Sequence, residues 1–234
     1  MALPKLEATR YTCVLPLSKK TIEYRPFLVK EQKHLLVAGE SEDGEVISKS
    51  LLDLMRSCTY GDINIDILPM ADIEYLFLQI RIKSAGETSD IQLPCEKCEE
   101  ANEYSIDLSG LELDTSNLPD PHIKLNETMG IHLCYPSMMV AEGPTSKGSE
   151  TDQLFAVIRG SIESVYNEEE VFTADDWNDK ELNDFIDSFN NEQFALIQEF
   201  LTNIPRVKDS IEFNCMACGA MNKKELSGIQ DFFS

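Results

Sequence analysis

Histidine, basic charge and long apolar runs are all scarce in this chain, and each scarcity removes a class of function. With only His34, His122 and His132 present, no Ser/His or Cys/His catalytic arrangement suggests itself. The fingerprints G-x4-G-K-[ST], G-x-G-x-x-G, H-E-x-x-H and G-x-S-x-G do not occur. Lys and Arg number 20 against 42 Asp and Glu, for a net charge of −22. Neutralising phosphate needs clustered bases, so this balance argues against nucleic acid and against an anionic membrane surface. No apolar stretch approaches the roughly 20 residues of a membrane span, and Met1–Thr12 lacks the apolar core of a signal peptide. Acid pairs are so frequent that naming two of them a catalytic dyad would be arbitrary. The expectation is a protein that is not an enzyme, made in a reducing cytoplasm, with no small-molecule substrate.

Four of the seven cysteines carry the main signal. Cys95 and Cys98 form one C-x2-C hook, and Cys215 and Cys218 form another. Each spacing lets two thiolates grip one ion from a tight turn, and two hooks supply a closed tetrahedral zinc site. The alternating runs Ile91–Leu93, Tyr104–Leu108 and Ile211–Phe213 read as strands entering and leaving the hooks, which is how a zinc ribbon is built. Gly219 suits the positive φ that such a knuckle wants, whereas Glu99 stands where the first knuckle would favour glycine. The hooks are 116 residues apart (99–214), so the ribbon is split around an insertion. Four thiolates leave no open position, so the ion, Zn2+, is expected to be structural. A redox C-x2-C pair, or two unrelated pairs without metal, are the competing readings. Cys13, Cys58 and Cys134 are isolated and read as small buried hydrophobes.

The fold class expected is α+β, in four parts. Residues 1–86 form an N-terminal α+β unit, 87–136 the first half of the split ribbon with short strands, 137–205 an acidic helical insertion, and 206–234 the second half with a C-terminal tail. In the first part, 11–17 and 21–25 read as two strands, Leu28 to Glu40 as a helix, and Ile47, Leu51, Leu54, Met55 and Cys58 as one helical face. Ile63–Ile67 alternates like a strand, and Asp72 suits the cap of a third helix with Ile73, Leu76, Phe77 and Ile80 buried. Ile123–Leu125 and Ile131–Tyr135 read as strands around a turn at Met129-Gly130. After a linker at 143–149, Leu154, Ile158, Ile162 and Val165 line one helix, Leu182, Phe185, Ile186 and Phe189 a second, and Phe194, Ile197, Leu201 and Ile204 a third. Asn190 pairs with Gln193 as that third helix's cap.

The inserted part carries 15 acidic and three basic residues between Ala141 and Ile204. No calcium-loop spacing orders Glu168, Glu169, Glu170, Asp175 and Asp176, so these acids are expected on a surface offered to a protein partner. Phe232 and Phe233 read either as packed back on the domain or as a docking segment.

Several stretches together resemble one known family. Thr21–Glu31 (TIEYRPFLVKE), Asp72–Arg81 (DIEYLFLQIR), the run from Leu182 through Gln193-Phe194, Ile197 and Phe200 to Pro205, and Phe213-x-Cys215-x2-Cys218-Gly219 with Leu226, Gly228 and Phe232-Phe233 resemble, in the same order, the baseplate hub and hub-assembly proteins of T-even-type contractile-tailed bacteriophages. The resemblance implies a viral protein acting without catalysis in tail assembly, in the host cytoplasm or in the virion's tail baseplate, with hub or other tail proteins as partners. The ribbon residues alone leave a second reading open, a zinc-ribbon adaptor in a transcription or other cytoplasmic complex.

Overall fold

The computed structural model describes residues 7–39, 44–61, 63–111, 113–137, 140 and 149–228. Phe232, Phe233 and all but the last residue of the expected linker lie outside them. The chain divides into two compact units. The first comprises Met1–Ile65, Ala71–Thr115 and Arg206–Ser234, and the second Asp66–Met70 and Ser116–Pro205. The architecture is mixed α+β, with helices and several small antiparallel sheets.

The first unit opens with a hairpin, β1 (Tyr11–Val14) and β2 (Thr21–Tyr24), paired in register Tyr11 to Tyr24. Helices α1 (Val29–Gly39), α2 (Gly44–Cys58) and α3 (Met70–Ala85) follow. Asp72 does not cap its own helix. It sits in the first turn of α3, fully buried, and its two carboxylate oxygens accept the Leu17 and Ser18 amides, each at 2.8 Å. The carboxylate thereby holds the β1–β2 turn, a tertiary use that local propensity does not reveal. Ile65–Ile67 is a 3-10 turn rather than a strand. Pro69, two residues on, removes a donor from any ladder that would extend it.

Two long hairpins complete this unit. β3 (Thr88–Pro94) pairs with β4 (Ala101–Asp107), and β9 (Lys208–Asn214) pairs with β10 (Met221–Ser227). Burial alternates along β3, so Ser89, Ile91 and Leu93 face inward while their neighbours face water. One apolar cluster joins Leu78 and Ile82 of α3 to Ile91 and Ile106 of the first hairpin and Ile211 and Leu226 of the second. Each such side chain contributes about 1.5–3 kcal/mol when fully buried. Leu113 and Val207 form an isolated bridge, so the chain leaves this unit and returns to it at nearly the same place.

The second unit is built on a four-stranded antiparallel sheet in the order β5 (His122–Lys124), β6 (Gly130–Leu133), β7 (Ile162–Tyr166), β8 (Val171–Thr173). The β5–β6 turn is closed one residue earlier than Gly130, by Asn126 Oδ1 accepting the Thr128 and Met129 amides at 2.9 and 2.8 Å. Helices α4 (Glu150–Ser161), α5 (Asp179–Asp187) and α6 (Asn191–Thr202) cover a core that includes Ile131, Ile158, Ile186 and Ile197. Ser149, Asn178 and Asn190 each close a capping box with the residue three positions on, as expected for Asn190 and Gln193. The expected helix through Val165 stops at Ser161. Ile162 and Val165 belong to β7 instead, where Ile162 faces Leu133 and Val165 lies between Ile131 and Phe172. β-branched Ile162 and Val165 with Tyr166 suit a half-buried pleated strand better than a helix end.

Candidate metal centre

Each hook lies in the turn of one long hairpin, and the two turns are built alike. In the first, the Cys95 amide donates to Glu100 O at 2.9 Å and the Glu99 amide to Cys95 O at 2.9 Å. In the second, the Cys215 amide donates to Ala220 O at 2.8 Å and the Gly219 amide to Cys215 O at 2.9 Å. Both turns need one residue in the left-handed region. Gly219 adopts φ 69° and Glu99 adopts φ 61°. The residue that looked wrong for a knuckle is therefore held in the knuckle's conformation at an energetic cost. Gly219→Ala should destabilise the protein by about 1 kcal/mol, because nothing lies within 4 Å of the added Cβ and only backbone preference changes. Glu99→Gly should stabilise it by a similar or smaller amount. Urea midpoints of opposite sign check the pair, and equal shifts of one sign would refute the account.

The hairpins bring the four sulfurs together although their strands share no ladder. Cys95 Sγ lies 3.7 Å from Cys218 Sγ, Cys98 Sγ lies 3.6 Å from Cys215 Sγ, and all four fall within 4.8 Å of one another. A disulfide would need about 2.05 Å. Sulfurs bound tetrahedrally at about 2.3 Å from a zinc ion are about 3.8 Å apart, so the quartet is spaced to hold a metal. Cys95 and Cys215 are buried, while Cys98 and Cys218 are exposed. Backbone N–H groups favour the thiolate at the buried pair. The Cys218 amide, with that of Ala217, draws Cys215 down to about 6 against the opposing effect of burial. The Lys97 and Cys98 amides likewise lower Cys95. Cys98 goes the other way. The Glu100 amide pulls it down, but the neighbouring Cys218 sulfur, burial and the other sulfurs together push it up to about 12. Sulfurs this close ionise together only with a cation among them.

Two asparagines outside the expected site residues, Asn102 and Asn222, join the quartet. They are 3% and 4% exposed and sit on the inward faces of β4 and β10. The signal was available as a repeated spacing, C-x2-C-x3-N, in both hooks.

The other candidate residues are placed elsewhere. Glu168, Glu169 and Glu170 are exposed in the β7–β8 turn, where Asn167 Oδ1 accepts the Glu169 and Glu170 amides, each at 2.8 Å. Asp175 and Asp176 are exposed after β8, and Asp176 accepts from the Thr173 amide and hydroxyl at 2.8 and 3.1 Å. These contacts shape turns. His122 and His132 form a cross-strand pair with ring centroids 4.3 Å apart, and His132 Nδ1 lies 2.7 Å from Glu163 Oε2. Among the described residues, no second group of three or more His, Cys, Asp or Glu side chains converges as the four cysteines do. Cys58 is fully buried and Cys13 and Cys134 half-buried. Burial pushes the Cys13 and Cys58 thiols up to about 11, which disfavours the thiolate that reacts or binds metal.

Comparison with known proteins adds three findings. A family model described as T4 bacteriophage base plate protein matches residues 8–234. The chain is 24% identical over 214 residues to the baseplate hub assembly protein gp26 of Enterobacteria phage T4, covering 92% of this chain and 93% of that one. No solved structure matches.

Proposed function

The chain belongs to the T4 bacteriophage base plate protein family, and on that footing we propose that it acts in assembling the hub of a contractile-tail baseplate, without catalysis. The observation that carries this reading is the match along nearly the whole length of both chains to a hub assembly protein. The four cysteines, in this reading, bind a structural zinc ion and make the two hairpins a split zinc ribbon. A closed four-thiolate site supports a structural role over a catalytic one, because no position is left for water or substrate. The acids Glu168, Glu169, Glu170, Asp175 and Asp176 form part of the surface that meets hub or tail partners in the host cytoplasm. Their exposure and the local excess of acid support a partner with basic character.

Quantitative mass spectrometry of tail-assembly intermediates and finished particles from infected cells tests the proposal. The protein is expected in intermediates together with hub subunits. A fixed copy number in finished particles would make it a hub component, and loss before completion an assembly factor. Absence from both would overturn the baseplate reading in favour of a ribbon adaptor. Infection with protein carrying Glu168→Lys, Glu169→Lys and Glu170→Lys should reduce recovery of hub subunits with it. Unchanged recovery would remove that turn from the partner surface.

A further inference from the structure

The two hooks are related by more than their cysteines. Cys95, Cys98 and Asn102 have the same spacing as Cys215, Cys218 and Asn222, and the two asparagines make matching hydrogen bonds across the hairpins. Asn102 Oδ1 accepts the Met216 amide at 2.8 Å, while Asn222 Oδ1 accepts the Glu96 amide at 3.0 Å. Met216 and Glu96 each follow the first cysteine of the opposite hook. On their own hairpins, Asn102 Nδ2 donates to Glu100 O at 2.8 Å and Asn222 Nδ2 to Ala220 O at 2.9 Å. Exchanging the hairpins maps each of these four bonds onto its counterpart, which is a local two-fold relation.

We propose that Asn102 and Asn222 are positioning residues of the four-sulfur centre, each clamping the opposite knuckle so that the sulfurs are arranged before a metal ion arrives. The inference rests on the reading of the cysteines as a metal site and goes beyond it. Each carboxamide is oriented at both ends, because Oδ1 must face an amide and Nδ2 must face a carbonyl. Neither can turn without leaving a buried polar group unmatched. The hairpins share no strand ladder, so the reciprocal bonds set knuckle against knuckle where the apolar cluster cannot. The symmetry breaks at Asn102, whose Nδ2 reaches Leu93 O of its own hairpin as well, at 3.4 Å. Asn102 Nδ2 also lies 3.7 Å from Cys215 Sγ, placing a donor against a sulfur that carries negative charge when metal is bound. Asn102 therefore both positions the opposite hook and offsets thiolate charge, whereas Asn222 positions only.

The test uses the full chain loaded with Co2+, whose thiolate-to-metal absorption reports ligand geometry and charge, with affinity measured against a chelator. Asn102→Ala and Asn222→Ala are each expected to weaken binding by about 10–100-fold. Asn102→Asp and Asn222→Asp keep an acceptor for the opposite amide and lose the donor to their own hairpin. They differ in what the new carboxylate faces. Asn102→Asp should bind about tenfold more weakly than Asn222→Asp and shift the charge-transfer band, which a purely structural role would not produce. Should an alanine variant fail to fold, the aspartate pair still decides the matter. Wild-type affinity in both alanine variants, or aspartate variants alike in affinity and spectrum, would overturn the assignment. Failure of the unmutated chain to bind Co2+ at all would instead overturn the metal reading beneath it.

Discussion

With the quartet holding zinc as proposed, Cys215→Ser should abolish metal binding and lower the thermal midpoint by roughly 8–16 °C. A ligand present at a thousand times its dissociation constant contributes about 4 kcal/mol to the folded state. For a chain of this size each kcal/mol moves the midpoint by about 2–4 °C. The effect is large because of how the hairpins are joined. β3–β4 and β9–β10 are separate two-stranded sheets, connected by one apolar cluster, two asparagine clamps and the sulfur quartet. Cys215 is also one of the two buried cysteines of the quartet, so serine cannot be bypassed by solvent rearrangement alone. A strong chelator should reproduce the loss in the unmutated protein. Cys58→Ser supplies the control, since that thiol is buried away from the quartet and held protonated by its surroundings. Its metal content should stay at one ion per chain. A Cys215→Ser protein that keeps its metal and its midpoint would rule out the quartet as a metal site.

How far the centre could be read in advance depended on which feature is local. The C-x2-C spacing is local, and alternating burial on either side of it is visible in Ile91 and Leu93. Pairing of hooks so far apart rests on tertiary structure, and only the chemistry of a four-thiolate site pointed to it. Glu99 was misleading for a definite reason. Sequence reports the preference of a residue, whereas the knuckle imposes φ 61° on it through the Cys95 and Glu100 carbonyls. Asn102 and Asn222 were overlooked because a polar residue on a strand's inward face reads as a weakness unless its partners are known. Ile162 and Val165 read as helix in the sequence because they continue the spacing of Leu154 and Ile158, falling at i+4 and i+7 from Ile158. Helix and strand share that stretch of pattern, and the neighbouring β6 and β8 decide between them. Asp72 shows the same limit from the opposite side. It has the composition of a cap and is used fifty-five residues away to hold Leu17.

Arg25→Ala is expected to cost about 3–5 kcal/mol, the range for removing one partner of a buried ion pair. The side chains of Arg25 and Glu31 are 11% and 8% exposed, with Nη2 3.0 Å from Oε1. Both lie in the Thr21–Glu31 stretch that resembles the family's first signature, and the structure gives that stretch a physical role. Glu31 Oε2 accepts the Leu28 amide at 2.6 Å and so satisfies a donor at the start of α1. Arg25 donates to Ser57 O at 2.9 Å at the end of α2, and to Pro26 O at 2.9 Å. The pair therefore places negative charge at one helix N-terminus and positive charge at another's C-terminus, both favourable against the helix dipoles. Arg25→Lys keeps the charge and loses the fork that reaches Glu31 and two carbonyls together, so a loss smaller than that of alanine is expected. The effect depends on pH in one direction. Burial opposes ionisation of Glu31, but hydrogen bonds from Arg25 and then Leu28 outweigh it and hold the carboxyl below its ordinary value. A group with a lowered folded pKa stabilises above its unfolded value, near 4.3, and loses that contribution as pH falls through the folded one. The difference between wild type and Arg25→Ala in urea should thus be full at pH 7 and smaller at pH 3. A difference independent of pH would mean that Arg25 acts through its carbonyl contacts alone. Arg25→Met combined with Glu31→Leu separates the remaining possibilities, because it removes both charges and their desolvation costs together. Recovery of more than half of the Arg25→Ala loss would show that the penalty is the stranded Glu31 carboxylate. No recovery would place it in the groups left unmatched, the carbonyls of Pro26 and Ser57 in both variants and the Leu28 amide in the double one.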